Sequence, residues 1–164
     1  HSVILNIRNC IILNLCKSTL CCKRPIQFNV IRSGSRICHI KNNFIAIVNK
    51  SFEDTGKTID PNESKLTFIL KNGEKLHTNA LSSGEKQLLI ILLTILLERE
   101  KEYIVLMDEP EISLHIHWQY ELIDNLIMLN PNAQFIIATH SPSIFGKGWG
   151  DKVQQISKLS SDDK

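Results

Sequence analysis

The first fifty residues contain no aspartate and no glutamate. Eight basic residues stand there alone (Arg8, Lys17, Lys23, Arg24, Arg32, Arg36, Lys41 and Lys50), while residues 51–164 hold the other eleven and all seventeen acids, a balance of −6. The overall charge of +2 conceals this split. Such asymmetry fits a basic arm for nucleic acid, a targeting segment, or a lobe whose acidic counterparts lie elsewhere in the protein, and the last is the reading preferred here. Cysteine is absent after position 38. The five present (Cys10, Cys16, Cys21, Cys22 and Cys38) are odd in number, form no C-x-x-C, and include an adjacent pair with poor disulfide geometry. Only His39 stands beside Cys38, too little for a four-ligand zinc site. These read as reduced thiols, and the expected compartment is the cytoplasm. Long apolar runs are lacking too. Leu88 to Leu97 is too short for a hydrocarbon core of ~30 Å, and Val3 to Leu20 is broken by Asn6, Arg8, Asn9, Asn14 and Lys17. No membrane span is expected, and no signal peptide is assigned. The start at His1 rather than Met leads us to expect a fragment, a processed product or an incomplete reading. No internal repeat or low-complexity tract occurs.

At 164 residues the chain can bury one real core. The first 36 residues show no clean period; Ile11-Ile12-Leu13 and Val30-Ile31 are short strands or a marginal helix. Composition shifts near Cys38, which divides an unassigned basic segment (1–37) from a carboxyl-terminal region (38–164). The run around Phe44 to Val48 predicts a helix over about 40–53, with a strand as the alternative. Leu66 to Leu70 reads as a strand, Asn72-Gly73 as its turn and Lys75-Leu76-His77 as the return of a hairpin. Ser82 or Ser83 can cap a helix that runs from Glu85 to Glu98, apolar all round and so expected to be buried between layers. Ile104 to Met107 predicts a central parallel strand covered on both faces. Leu114, Trp118, Leu122, Leu126 and Leu129 share one helical stripe, ended by Asn130-Pro131-Asn132. Phe135 to Ala138 is a second buried strand, and Val153 to Ile156 a third. This alternation predicts an α/β fold with a parallel sheet and right-handed crossovers.

Two of those strands end in chemistry. Asp108 and Glu109 follow one, and His140 follows the other. Ligands bind outside the carboxyl ends of parallel strands, so both emerge where a site belongs. Asp108 is a candidate Mg²⁺ ligand. Glu109 is placed to orient or deprotonate an attacking water, and a neutral His140 to hydrogen-bond a terminal phosphate. Ser82, Ser83 and Gly84 open a helix, where N–H groups and the dipole favour an anion. Each has a plainer reading taken singly: acids capping a turn, a loop histidine, a helix cap. His115 and His117 are alternate helical residues on different faces, hence surface or dimer-contact positions rather than a metal pair. Trp118 falls on the apolar stripe and reads as core. No G-x-x-x-x-G-K-[ST] phosphate loop occurs. Gly56-Lys57-Thr58 has only its end, since Ser51 stands where the first glycine is required.

The order L-S-S-G-E-K-Q (81–87), M-D-E-P-E (107–111) and A-T-H-S (138–141) resembles the signature helix, Walker B strand and histidine switch of ABC-type ATPase heads of the RecF, SMC and OLD group. It is most similar to the bacterial "AAA family" ATPases found with phage-defence nucleases, over roughly residues 40–159. The resemblance implies a P-loop NTPase-type fold that is incomplete here, ATP and Mg²⁺ as cofactors, and two heads sandwiching the nucleotide. Ser82, Ser83 and Gly84 then act in trans on the partner's γ-phosphate, while Asp108, Glu109 and His140 act in cis. Glu111 to Leu114 fall where the D-loop lies, with Ser113 facing the partner. The chain departs from L-S-G-G-Q at Ser83 and Glu85, although glutamate at the last position is usual among DNA-repair heads. The resemblance places Gly56-Lys57-Thr58 on a helix and loop before the hairpin, too close to Leu81 to serve as the phosphate loop. The function implied is ATP hydrolysis by a dimerising head, coupled to DNA processing or antiphage defence, with DNA and a nuclease effector as partners and no membrane. Two other readings stand beside it: a catalytically silent truncated or regulatory ATPase fragment, and a transporter nucleotide-binding subunit.

Overall fold

A computed structural model describes residues 3–6, 34–98, 104–146 and 148–155. The first helix, α1 (Gly34–Ser51), forms over the predicted stretch and begins earlier than expected. Phe44, Ile47, Val48 and Ser51 are buried at i, i+3, i+4 and i+7, the spacing of one helical face. A turn through Gly56, at φ +68°, leads into an antiparallel sheet of β2 (Lys57–Ile59), β3 (Thr67–Leu70) and β4 (Lys75–His77). The hairpin is as predicted: Gly73 takes φ +83° at its tip, and Asn72 Oδ1 accepts the Glu74 N–H. Lys57 and Thr58 are a correction, because they lie on β2 paired to β3 rather than on a helix and loop.

The helix α2 (Ser83–Leu97) packs against α1 and against α3 (Ile116–Leu129). Leu88, Leu89, Leu92, Leu93 and Ile95 are buried, but Ile90 and Leu97 are exposed. The expectation of burial between two layers is therefore corrected: among the described residues its partners lie on one side only. The α3 stripe is fully realised, with Leu114, Trp118, Leu122, Leu126 and Leu129 all buried. Trp118 is core, its indole N–H donating to the Ser51 carbonyl at 2.7 Å and its ring 5.7 Å from Phe52. The Asn130 N–H closes the last turn on the Leu126 carbonyl.

Strands β5 (Ile104–Asp108) and β6 (Gln134–Thr139) pair in parallel across α3, the β-α-β unit read from the sequence. The larger sheet is mixed, however. Its order is β5-β6-β1-β7, with β1 (Val3–Asn6) antiparallel to both β6 and β7 (Val153–Gln155). Strand β5 also departs from expectation. It forms the sheet edge, and its outward residues Ile104 and Leu106 are 57% and 52% exposed, so only one face is covered among the described residues. Val105 and Met107 turn toward a core that joins Phe135 and Ile137 to the α2 and α3 leucines and to Phe44, Phe52 and Phe68. Each such fully buried side chain stabilises by about 1.5–3 kcal/mol. The segments predicted around Ile11 and Val30, the cysteines from Cys10 to Cys22, and Ile156 lie outside the described residues.

Candidate active site

The parallel register brings β5 and β6 to the same edge. Asp108 pairs with Ala138, and the Glu109 N–H extends the ladder by donating to the Ala138 carbonyl at 2.8 Å. Asp108, at the exposed end of β5, thus emerges beside Glu109 and, one strand over, His140. Glu109 takes a left-handed backbone, φ +48°. That conformation costs a residue bearing Cβ about 1–2 kcal/mol and turns the side chain across the strand ends. Its Oε1 comes to 3.2 Å from His140 Nε2. Burial raises the Glu109 pKa above the usual carboxylate value, the neighbouring Glu111 carboxylate raises it further, and His140 partly offsets both. A raised pKa suits a group that must take a proton near neutrality.

Glu111 was expected at the start of the D-loop, with only Ser113 facing the partner. The chain instead folds it inward, 8% exposed, toward the turn after β6. Its Oε1 accepts from the Thr139 hydroxyl and from the N–H groups of His140 and Ser141, each of the latter at 3.2 Å. Its Oε2 is buried with no hydrogen-bond partner among the described residues. The network continues from Ser141 Oγ to Gln119 Oε1 (2.7 Å), and Gln119 Nε2 donates to the Leu114 carbonyl at 3.0 Å. Sequence reasoning missed Glu111, Thr139 and Gln119 as parts of the site. The one available signal was the polar Thr139 closing an otherwise apolar strand.

A second cluster gathers at the start of α2. Ser82 caps the helix, its hydroxyl accepting the Glu85 N–H at 3.3 Å, and Glu85 Oε2 accepts the Ser82 N–H at 2.8 Å, a reciprocal capping box. The other Glu85 oxygen meets Lys57 Nζ at 2.6 Å, with the glutamate side chain only 2% exposed. Burial alone would raise the Glu85 pKa. The Lys57 ammonium, the Ser82 N–H and the Thr55 hydroxyl outweigh it and hold the carboxyl below its ordinary value. The lysine of the incomplete phosphate-loop pattern thus has a partner in the fold. Gly84 is buried against the loop after β5, where an added Cβ would lie 2.3 Å from the Ser113 carbonyl oxygen. Ser113 is itself left-handed, φ +69°. Ser82, Ser83 and Ser113 are exposed. The two clusters are joined by the 109–113 loop, which carries Glu109 at one end and touches Gly84 at the other.

His115 caps α3, its Nδ1 accepting the His117 N–H at 3.4 Å, while His117 Nε2 lies 3.9 Å from Glu121. No described helix is long and apolar enough to cross a membrane.

The chain is 32% identical over 102 residues to "Retron Vc95 probable ATPase" of Vibrio cholerae serotype O1 biovar El Tor, a match covering 56% of this chain and 20% of that protein. It is 36% identical over 88 residues to "Retron Ec83 probable ATPase" of Escherichia coli, covering 47% of this chain and 16% of the relative. The chain therefore spans only about a fifth of the length of the curated relatives it matches. Residues 35–146 match the family described as "AAA domain, putative AbiEii toxin, Type IV TA system", and with well over half of its residues inside that match the chain belongs to this AAA-domain family.

Proposed function

We propose that this chain is the catalytic-base half of an ABC-type ATPase head that works in an antiphage defence system. The observation that carries the reading is the contact between Glu109 and His140, 3.2 Å apart at the ends of two parallel strands. In this reading Glu109 accepts a proton from the water that attacks the γ-phosphate, and His140 hydrogen-bonds that phosphate. Asp108 fits a hard divalent cation, being an exposed carboxylate at the carboxyl end of β5, and would hold Mg²⁺, which supplies charge neutralisation of the phosphates. Residues 38–164 would then be the carboxyl-terminal part of the head. The phosphate-gripping loop, absent from these 164 residues, comes from another part of the protein. Among the described residues β5 is the open edge of its sheet, which supports further strands adding there, and its exposed Ile104 and Leu106 support an element packing over that face.

Ser82, Ser83 and Gly84, with Ser113, would complete the nucleotide site of a second head in trans. Support comes from an exposed apolar series beside Ser113, made by Ile112, Ile116 and Tyr120 at four-residue spacing. Coupling to DNA or to a nuclease effector is part of the same proposal. A catalytically silent fragment is the second reading, favoured by the missing phosphate loop. The two separate on one experiment. Full-length ATPase carrying this segment is titrated with Mg-ATP and assayed for phosphate release. Binding with release supports the ATPase, and binding or no binding without release supports the silent reading.

A further inference from the structure

We propose that Glu111 is a positioning residue of this site: its buried carboxylate shapes the turn after β6 and so holds the His140 ring against Glu109. The inference rests on the ATPase reading for its functional meaning, and on geometry for everything else. His140 and Ser141 each leave an N–H beyond the end of the strand ladder. In an open turn water would satisfy them. Here both donate to one Glu111 oxygen, together with the Thr139 hydroxyl, whose own oxygen shares the Ser141 N–H at 3.0 Å. Bonds to an ionised acceptor are roughly twice as strong as neutral ones, so this oxygen anchors the turn firmly. The anchor belongs to the opposite strand end, two residues after Glu109. One side chain therefore ties the turn bearing His140 to the loop bearing Glu109.

A residue kept only for stability would be a poor choice here. The second oxygen, Oε2, is buried without a donor, and an unsatisfied buried polar atom is destabilising. The Glu111 carboxylate also stands close enough to Glu109 to push that carboxyl's pKa up, beside the pair it ties together. A burial of this kind is understandable when the geometry it imposes is used.

The test compares Glu111→Ala with Glu111→Gln in the full-length ATPase and reads amide hydrogen exchange alongside turnover. The Gln carboxamide oxygen can accept the same three donors; Ala cannot. Glu111→Ala should lower kcat by about ten- to a hundredfold, as a small misplacement of a reacting group does, while KM for Mg-ATP stays within about twofold. Glu111→Gln should restore the greater part of kcat. Exchange at His140 and Ser141 should quicken in the Ala variant and not at Phe135 or Ile137 in the strand core. If Glu111→Ala does not fold, Thr139→Val removes one of the three donors together with the second acceptor of the Ser141 N–H, and should give a smaller loss of kcat with faster exchange at Ser141. The proposal is overturned if exchange at His140 and Ser141 is unchanged in the Ala variant. It is also overturned if kcat, KM and core protection fall together without rescue by Gln. Should the parent protein release no phosphate, the ATPase reading fails by itself, and the exchange pattern alone decides on Glu111.

Discussion

Glu109 combines a left-handed backbone with a carboxyl whose pKa is raised by burial and by Glu111. The consequence for stability has a definite sign. An acid with a higher pKa in the folded than in the unfolded chain binds its proton more tightly when folded. Its favourable contribution is present at low pH and is lost as pH rises from the unfolded value through the folded one. At neutral pH the charged Glu109 is thus a burden on the fold. Glu109→Gln should raise Tm at pH 7 and give little gain near pH 4, where the parent side chain is itself protonated; an equal gain at both pH values would contradict the raised pKa. Gly84 makes a second single-residue case. In an open helix Ala is favoured over Gly by about 1 kcal/mol. Here its methyl would meet the Ser113 carbonyl at 2.3 Å, so Gly84→Ala should instead destabilise by roughly 1–3 kcal/mol in urea denaturation. A stabilised variant would mean that α2 and the loop do not touch. Asp108, Glu109 and His140 were legible in the sequence because strand ends place side chains reliably. The inward role of Glu111 was not: the resemblance put it at the start of the D-loop, and the left-handed residues at 109 and 113 on either side of it have no glycine to announce them.

Between elements, the ion pair of Lys57 on β2 with Glu85 on α2 joins the small antiparallel sheet to the helix that opens the second cluster. Removing one partner of a buried pair leaves an uncompensated charge. Lys57→Met should therefore cost about 3 kcal/mol, and adding Glu85→Gln should recover much of it, since Gln still closes the capping box. Denaturant midpoints of the single and double variants check this, and a neutral Lys57→Met would show that the pair carries no stability. The α3 stripe and the hairpin were legible because period and turn chemistry are local. The exposure of β5 and of Ile90 was not. An apolar strand or helix reads the same whether its second face is covered by this segment or left bare, and coverage is decided by what packs there. The antiparallel insertion of β1 between β6 and β7 was equally invisible, because four residues carry no period.

For the whole molecule, the proposed head-to-head arrangement predicts complementation. Ser82→Arg spoils the site of the partner, whereas Glu109→Gln spoils its own. In a heterodimer of the two, one composite site carries both lesions and the other carries neither, so mixing two inactive proteins should restore up to about half of the parental activity per dimer. If Ser82 served its own head, no site would be whole and no activity would return. The most direct measurement is phosphate release by the full-length ATPase at saturating Mg-ATP, parent against Glu109→Gln, with nucleotide affinity measured in parallel. Loss of the base should slow release by at least about a hundredfold at unchanged affinity. Release at the parental rate would show that Glu109 is not the base and that the strand-end pair with His140 is not the catalytic site.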